Sequence, residues 1–217
     1  MVLAARITAA GERTLLVGDA LSRDRAQLSG SREGPRGLGW LRMALDPPLE
    51  SDADEVRRAL LPLRNDFSVA LHSLQNPFAV GAIIRVAHSF LVREIIVIGE
   101  APYYEKASMG MEKYEQIVTV KDDAAFFEYA GARPIWAVEK DDAKQAVYEI
   151  AQFPRDVIFV LGSERGGLDG AFIARVANVV GIPMYGVNHS FPVAVAAGIM
   201  MSEWARRRYR DGAIVGG

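Results

Sequence analysis

The chain has 217 residues, half of them hydrophobic, a formal net charge of −2 at pH 7 and no cysteine. That much apolar sequence suits one α/β domain plus an extension, and the lack of cysteine excludes a disulfide framework and a thiolate metal site. The near-neutral charge argues against a strong, sequence-independent grip on nucleic acid, which shows as a basic domain. A local basic patch is still compatible. Arg206, Arg207, Arg208 and Arg210 cluster near the C-terminus, where they either complement a helix dipole or meet RNA phosphate. His72, His88 and His189 lie far apart without metal-ligand spacing, so no metal is expected. No apolar run approaches the length of a bilayer span, and Met1–Arg6 lacks a secretory pattern. The expectation is a soluble cytoplasmic protein with no membrane segment.

Residues 1–50 read as an N-terminal extension. Arg6–Thr8 and Thr14–Val17 are spaced to pair as a short hairpin around Ala10-Gly11-Glu12. Ser29–Gly39 is rich in glycine and charge and reads as a linker. Asp46-Pro47-Pro48 blocks helix and marks a boundary. Residues 51–217 then form the main domain. Ser51 or Asp52 caps a helix through Leu61, with Glu55 completing a capping box if Asp52 is the cap.

From Phe67 strands and helices alternate. Phe67–Leu74 is a strand, and Asn76 caps a helix that has Pro77 at its first position and runs to about Phe90. Glu94–Ile98 is a strand, Lys106–Lys113 a short helix and Gln116–Val120 a strand. Asp122 caps a helix to Ala130. Pro134–Val138 is a strand, and Lys144–Ala151 a helix. Val157–Leu161 is so apolar that it reads as a central strand. Leu168–Ala177 is a helix, Val179–Ile182 a strand and Val193–Arg208 the last helix. This alternation predicts an α/β fold, a mostly parallel sheet with helices on both faces.

Three stretches carry the chemistry. Gly162-Ser163-Glu164-Arg165-Gly166-Gly167 follows the central strand. It lacks the Lys-Ser/Thr of a phosphate loop, but its glycines let backbone approach a ligand closely. Glu164 can orient a substrate hydroxyl or an arginine, or it is a solvated carboxylate on a tight turn. Ile182-Pro183-Met184-Tyr185-Gly186 leads into Asn188-His189-Ser190-Phe191-Pro192 and the last helix. Ile182, Met184 and Phe191 can flank a purine ring, or Ile182 and Met184 can simply pack in the core. His189 is a candidate titrating group or an exposed loop histidine. In Asn76–Arg85, Gly81 and Arg85 share a helix face. A mid-helix glycine is about 1 kcal/mol worse than alanine, so Gly81 points to a close contact.

In residue type and order these stretches resemble the SpoU/TrmH family of RNA ribose 2′-O-methyltransferases, over roughly residues 64–210. The resemblance implies the SPOUT fold with a C-terminal trefoil knot, which topology rules alone would not suggest. It implies S-adenosyl-L-methionine as cofactor, tRNA or rRNA as substrate and a homodimer, for whose interface Val195, Ile199, Met200 and Trp204 are candidates if they are not core. Carried over by position, Leu161, Gly162, Ile182, Met184, Phe191 and Val193 bind the cofactor, and Arg85, Glu164 and Ser190 are catalytic. The segment Lys106–Tyr114 resembles the family's loop after the second strand, and its basic and aromatic residues can touch RNA. The base that takes the 2′-proton is left open among an RNA phosphate, water, Glu164 and His189.

The chain departs from the family pattern at three positions. Ala79 stands where the family has asparagine. Ser190 matches the third motif, but Pro192 replaces its asparagine and Ala194 its second serine. These departures favour an alternative, a weakened relative that binds S-adenosyl-L-methionine or RNA without methylating. A third reading is an ordinary nucleotide-binding α/β enzyme, against which the missing phosphate-loop and dinucleotide fingerprints count.

Overall fold

The computed structural model describes residues 4–7, 13–16, 51–210 and 213–214. Two short antiparallel pairs are described by themselves: β1 (Ala4–Ile7) with β2 (Arg13–Leu16), and β10 (Tyr209–Arg210) with β11 (Ala213–Ile214). The first is the expected hairpin, with its strands starting earlier than expected. The expected linker Ser29–Gly39 and the Asp46–Pro48 boundary lie outside the described residues.

The core of the molecule is a seven-stranded sheet. It contains β3 (Ser68–His72), β4 (Ile95–Ile98), β5 (Ile117–Val120), β6 (Ile135–Val138), β7 (Gln145–Ala146), β8 (Ile158–Leu161) and β9 (Asn178–Gly181). The spatial order is β5-β4-β3-β8-β6-β9-β7, and every pairing is parallel. The apolar run Val157–Leu161 thus gives the middle strand, as its composition predicts.

Alternation along the buried strands supplies two cores. Leu71, Ile95, Phe159 and Val180 face α2 (Pro77–Ser89) and α6 (Val193–Arg208). Ala70, Ile96, Val160 and Val179 face α4 (Asp123–Ala130) and the short α5 (Gly170–Ile173). Met200 and Trp204 are 1% exposed within the first core, so they are core residues and not interface candidates. Val195 points outward, 46% exposed.

Several expected caps are formed. Asp52 and Glu55 make a reciprocal capping box on α1 (Ala53–Leu60). Asn76 Oδ1 accepts from the Phe78 amide, with Pro77 at the first helical position. Asp122 caps α4, where its hydrogen bond from the Ala125 amide holds the exposed carboxyl below its usual range.

Three expected helices are cut short. Lys106–Lys113 is split into α3 (Glu105–Ser108) and a 3-10 turn at Met111–Lys113, because Met109 and Gly110 both adopt left-handed backbone. Leu168–Ala177 is helical only in α5, whose cap is Asp169. Lys144–Ala151 becomes β7 and a 3-10 turn at Val147–Glu149. Its apolar spacing mimics a helix, but the Val147 and Ile150 carbonyls accept from the Arg207 guanidinium at 2.6 and 2.5 Å. Those acceptors are therefore taken by α6.

The basic C-terminal cluster is largely absorbed by the fold. Arg207 is nearly buried against these carbonyls and Glu203. Arg208 is 8% exposed and sits over the Trp204 ring. Burial alone would raise the Glu203 carboxyl, but hydrogen bonds from Arg206 and Arg207 outweigh it and hold the group below its ordinary value. A depressed carboxylate gives stability that is present above its unfolded pKa, about 4.3. That stability is lost as pH falls through the folded value. Urea midpoints measured downward from pH 7 will show a shallower acid-side loss in Glu203→Gln than in the parent.

Gly81 lets α3 pack on α2. A Cβ there would lie 2.7 Å from the Tyr104 carbonyl oxygen and 2.8 Å from Ala107 Cβ. Gly81→Ala will therefore destabilise the protein by about 1–3 kcal/mol in urea unfolding despite its better helix propensity. A stabilised variant would show that α3 does not close on α2.

Candidate functional site

Because the sheet is all parallel, every loop that leaves a strand's carboxyl end emerges along one edge. The winding direction reverses between β3 and β8, since β3 is flanked by β4 on one side and β8 on the other. Loops at such a switch point form the crevice where open α/β sheets hold ligands. Here they are Ser73–Asn76 after β3 and Gly162–Leu168 after β8. The Glu139 and Ile182 loops follow β6 and β9 alongside.

The Gly162–Leu168 loop folds on itself. Ser163 and Gly167 form an antiparallel bridge, the Gly167 amide donates to the Ser163 carbonyl at 2.9 Å, and the Gly166 amide to Ser163 Oγ at 3.2 Å. Gly167 has φ +62°, a left-handed conformation that favours glycine. A Cβ at Gly162 would overlap the Gly167 carbonyl group and the Leu168 nitrogen, so no side chain fits there. At the tip Glu164, Arg165 and Gly166 are exposed.

Glu139, directly after β6, ties the two glycine-bearing strand ends together. Its Oε2 accepts from the Leu168 amide at 3.3 Å and lies against Gly167. Its own amide donates to the Val180 carbonyl of β9 at 3.1 Å. Sequence reading passed over this residue because Glu139-Lys140-Asp141-Asp142 looks like a charged turn. The available signal was a carboxylate directly at the carboxyl end of the strand Pro134–Val138.

The loop after β9 is far more open. Tyr185 is 91% and Val187 98% exposed. Asn188 shapes the turn, its Nδ2 donating to the Ser190 carbonyl at 3.1 Å and its Oδ1 accepting from the His189 amide. Pro192 is the N-cap of α6 and offers no side-chain acceptor. Its carbonyl accepts from the Val195 and Ala196 amides.

The predicted site residues divide by side chain. The side chains of Leu161, Ile182 and Val193 are buried in the core shared with α2 and α6, so only their backbone is left to meet a ligand. Core packing is thus the outcome for the Ile182 side chain. Met184 is half-buried, and Phe191, Ser190 and Glu164 are exposed. Arg85 is exposed on α2, and the next residue, Val86, packs toward Gly198 of α6. Among the described residues no hydrogen bond or ion pair joins the side chains of Arg85, Glu164 and Ser190 to one another. The strand topology gathers Leu161, Gly162 and Ile182 on one edge.

A cavity of about 380 Å³ lies elsewhere, between α2 and the β4–β5 side of the sheet beneath Gly99–Tyr103. None of the predicted cofactor residues lines it. Among the described residues no group of three or more His, Asp and Glu can hold a metal ion, and no helix is long and apolar enough to cross a membrane.

A parallel α/β sheet with glycine-lined and open loops at its central carboxyl ends defines an α/β domain with a ligand-binding crevice at its switch point. The chain belongs to the SpoU rRNA Methylase family, whose sequence profile matches residues 66–202. It is 27% identical over 143 residues to the 23S rRNA (guanosine-2′-O-)-methyltransferase RlmB of Coxiella burnetii, covering 64% of this chain and 57% of that one. It is 25% identical over 165 residues to the tRNA (guanosine(18)-2′-O)-methyltransferase of Thermus thermophilus, covering 73% and 82%. The crystal structure of the SpoU methyltransferase AviRb from Streptomyces viridochromogenes superposes with a TM-score of 0.60 at 25% identity, over 70% of this chain and 63% of AviRb. The chain spans a little over half the length of the curated RlmB relatives it matches.

Gly162→Ala will force the loop open. The expected results are a loss of stability of about 1–3 kcal/mol and faster hydrogen exchange at the Gly167 and Leu168 amides. Unchanged protection at both would show that the loop does not depend on this close approach.

Proposed function

We propose that this chain is an S-adenosyl-L-methionine-dependent RNA methyltransferase that methylates a ribose 2′-hydroxyl of tRNA or rRNA. The observation that carries this reading is the family match across residues 66–202, which spans both strand-end loops. The curated relatives above, one named for rRNA and one for tRNA, support the substrate class. We also infer the trefoil knot of the SPOUT fold within residues 51–217, with residues 1–50 as an extension, a homodimer and a cytoplasmic location. Family membership supports the knot and the dimer.

The loop chemistry fits the cofactor. Gly162 and Gly167 keep the end of β8 free of side chains, so main-chain groups of Leu161, Gly162, Ile182 and Val193 can bind an adenosine directly. Met184 and Phe191 are the side chains available to flank the purine. When bound, S-adenosyl-L-methionine supplies a methyl group activated by its sulfonium.

The protein's own part is mainly positioning, which in-line transfer requires. Arg85 grips a phosphate beside the target ribose and stabilises negative charge growing on the 2′-oxygen. A guanidinium keeps its proton, so Arg85 is not the base. Glu164 at the loop tip orients the ribose hydroxyl, and Ser190 offers a hydroxyl at the mouth of the third loop.

Calorimetric titration with S-adenosyl-L-methionine and S-adenosylhomocysteine will give saturable binding to the purified protein, and absence of binding with RNA present would sink the cofactor assignment. Arg85→Ala will leave that binding nearly unchanged and lower turnover by about 10²–10³, the usual loss for a charge-stabilising donor. Unchanged turnover would remove Arg85 from the mechanism.

A further inference from the structure

Two aromatic rings stand in solvent on the α2 side of the candidate site. Phe78, in the first turn of α2, is 62% exposed, and Tyr104, just before α3, is 37% exposed. Their ring centroids are 4.6 Å apart. Gly81 makes this pairing possible, because it lets the Tyr104 carbonyl come against α2. Phe78, Gly81 and Arg85 are spaced three and four residues apart and so share one helical stripe. Arg85 stands about 10 Å along the axis from Phe78. It is exposed, and no side-chain partner is found for it among the described residues.

Aromatic rings left open beside an unpaired cation are the combination that holds single-stranded nucleic acid. Rings stack on bases whatever the sequence, and the cation takes the phosphate. A duplex offers no free base face to such rings. Resting on the RNA reading above, we infer that Phe78 and Tyr104 form a stacking platform for an unpaired base next to the target nucleotide. The substrate is therefore RNA that is single-stranded where it crosses α2.

The test uses fluorescence-polarisation binding of a labelled oligoadenylate of about ten nucleotides, with an RNA duplex of equal length for comparison. The parent will prefer the single strand. Phe78→Ala and Tyr104→Ala will each weaken its binding about tenfold without altering the salt slope, whereas Arg85→Ala will lower that slope by about one. Phe78→Leu will be as weak as Phe78→Ala, because an aliphatic side chain cannot stack. Phe78→Trp will restore binding, with indole emission quenched by the base. Equal binding of duplex and single strand would overturn the platform, as would parent-like binding by both alanine variants. So would loss of RNA binding only as the oligomer falls apart in sedimentation, since the rings would then cover a second copy of the chain. Methyl transfer by the parent is scored separately. Stacking without transfer would leave the platform standing and refute the enzyme reading, and transfer with indifferent rings would do the reverse.

Discussion

The close approach of Gly162 to Gly167 at the end of the central strand is the constraint on which the site depends. It requires two residues without side chains, one of them in left-handed backbone. It also requires a carboxylate from the next strand, Glu139, to satisfy the Leu168 amide as the loop turns away. With that contact made, the end of β8 presents main chain alone. A side chain at Gly162 would collide with the backbone of Gly167 and Leu168 and push the loop away from the end of β8. The parallel sheet does the rest, since it delivers the ends of β3, β8, β6 and β9 to one edge without further instruction.

A second close contact organises the neighbouring side of the edge. Gly81 brings the Tyr104 carbonyl and α3 onto α2, which fixes where the exposed face of α2 points. Arg85 lies on that face, outside the buried networks that hold Arg64, Arg133 and Arg207. Arg64 is paired with Glu115 and Arg133 with Glu94 near the opposite, amino-terminal ends of the strands. Arg207 is tied to Glu203 and two carbonyls. The buried arginines thus tie elements together, whereas Arg85 on α2, like Arg165 at the tip of the Gly162–Leu168 loop, stays exposed.

Much of this was legible in the sequence where local chemistry decides the outcome. Asn76-Pro77, Asp122 and the Asp52–Glu55 pair each mark a helix start through their own hydrogen bonds, and the structure makes those bonds. The apolar run Val157–Leu161 gave the central strand. The misreadings fall where a distant group overrides local periodicity. Val147, Ile150 and Phe153 have helical spacing, but Arg207, some 60 residues later in the chain, takes the carbonyls. Met109 in left-handed backbone beside Gly110 could not be read from its own side chain. The close turn at Gly162 was legible from its glycines, whereas the tie made by Glu139 was not, because it appears only once β6 is known to lie between β8 and β9. The replacements Ala79, Pro192 and Ala194 were visible at once. The structure adds that Pro192 starts α6 without a side-chain cap and that Asn188 shapes the turn before it.

The measurement that tests the central claim most directly is methyl transfer itself. Total tRNA and rRNA would be incubated with the protein and S-adenosyl-L-methionine labelled in its methyl group, then digested to nucleosides and separated. The account predicts label in a 2′-O-methylated nucleoside, with transfer slowed by about 10²–10³ in Arg85→Ala. Label on a base would contradict the proposed chemistry. No label from a protein that binds both the cofactor and RNA would make this chain a binding relative that has lost the reaction.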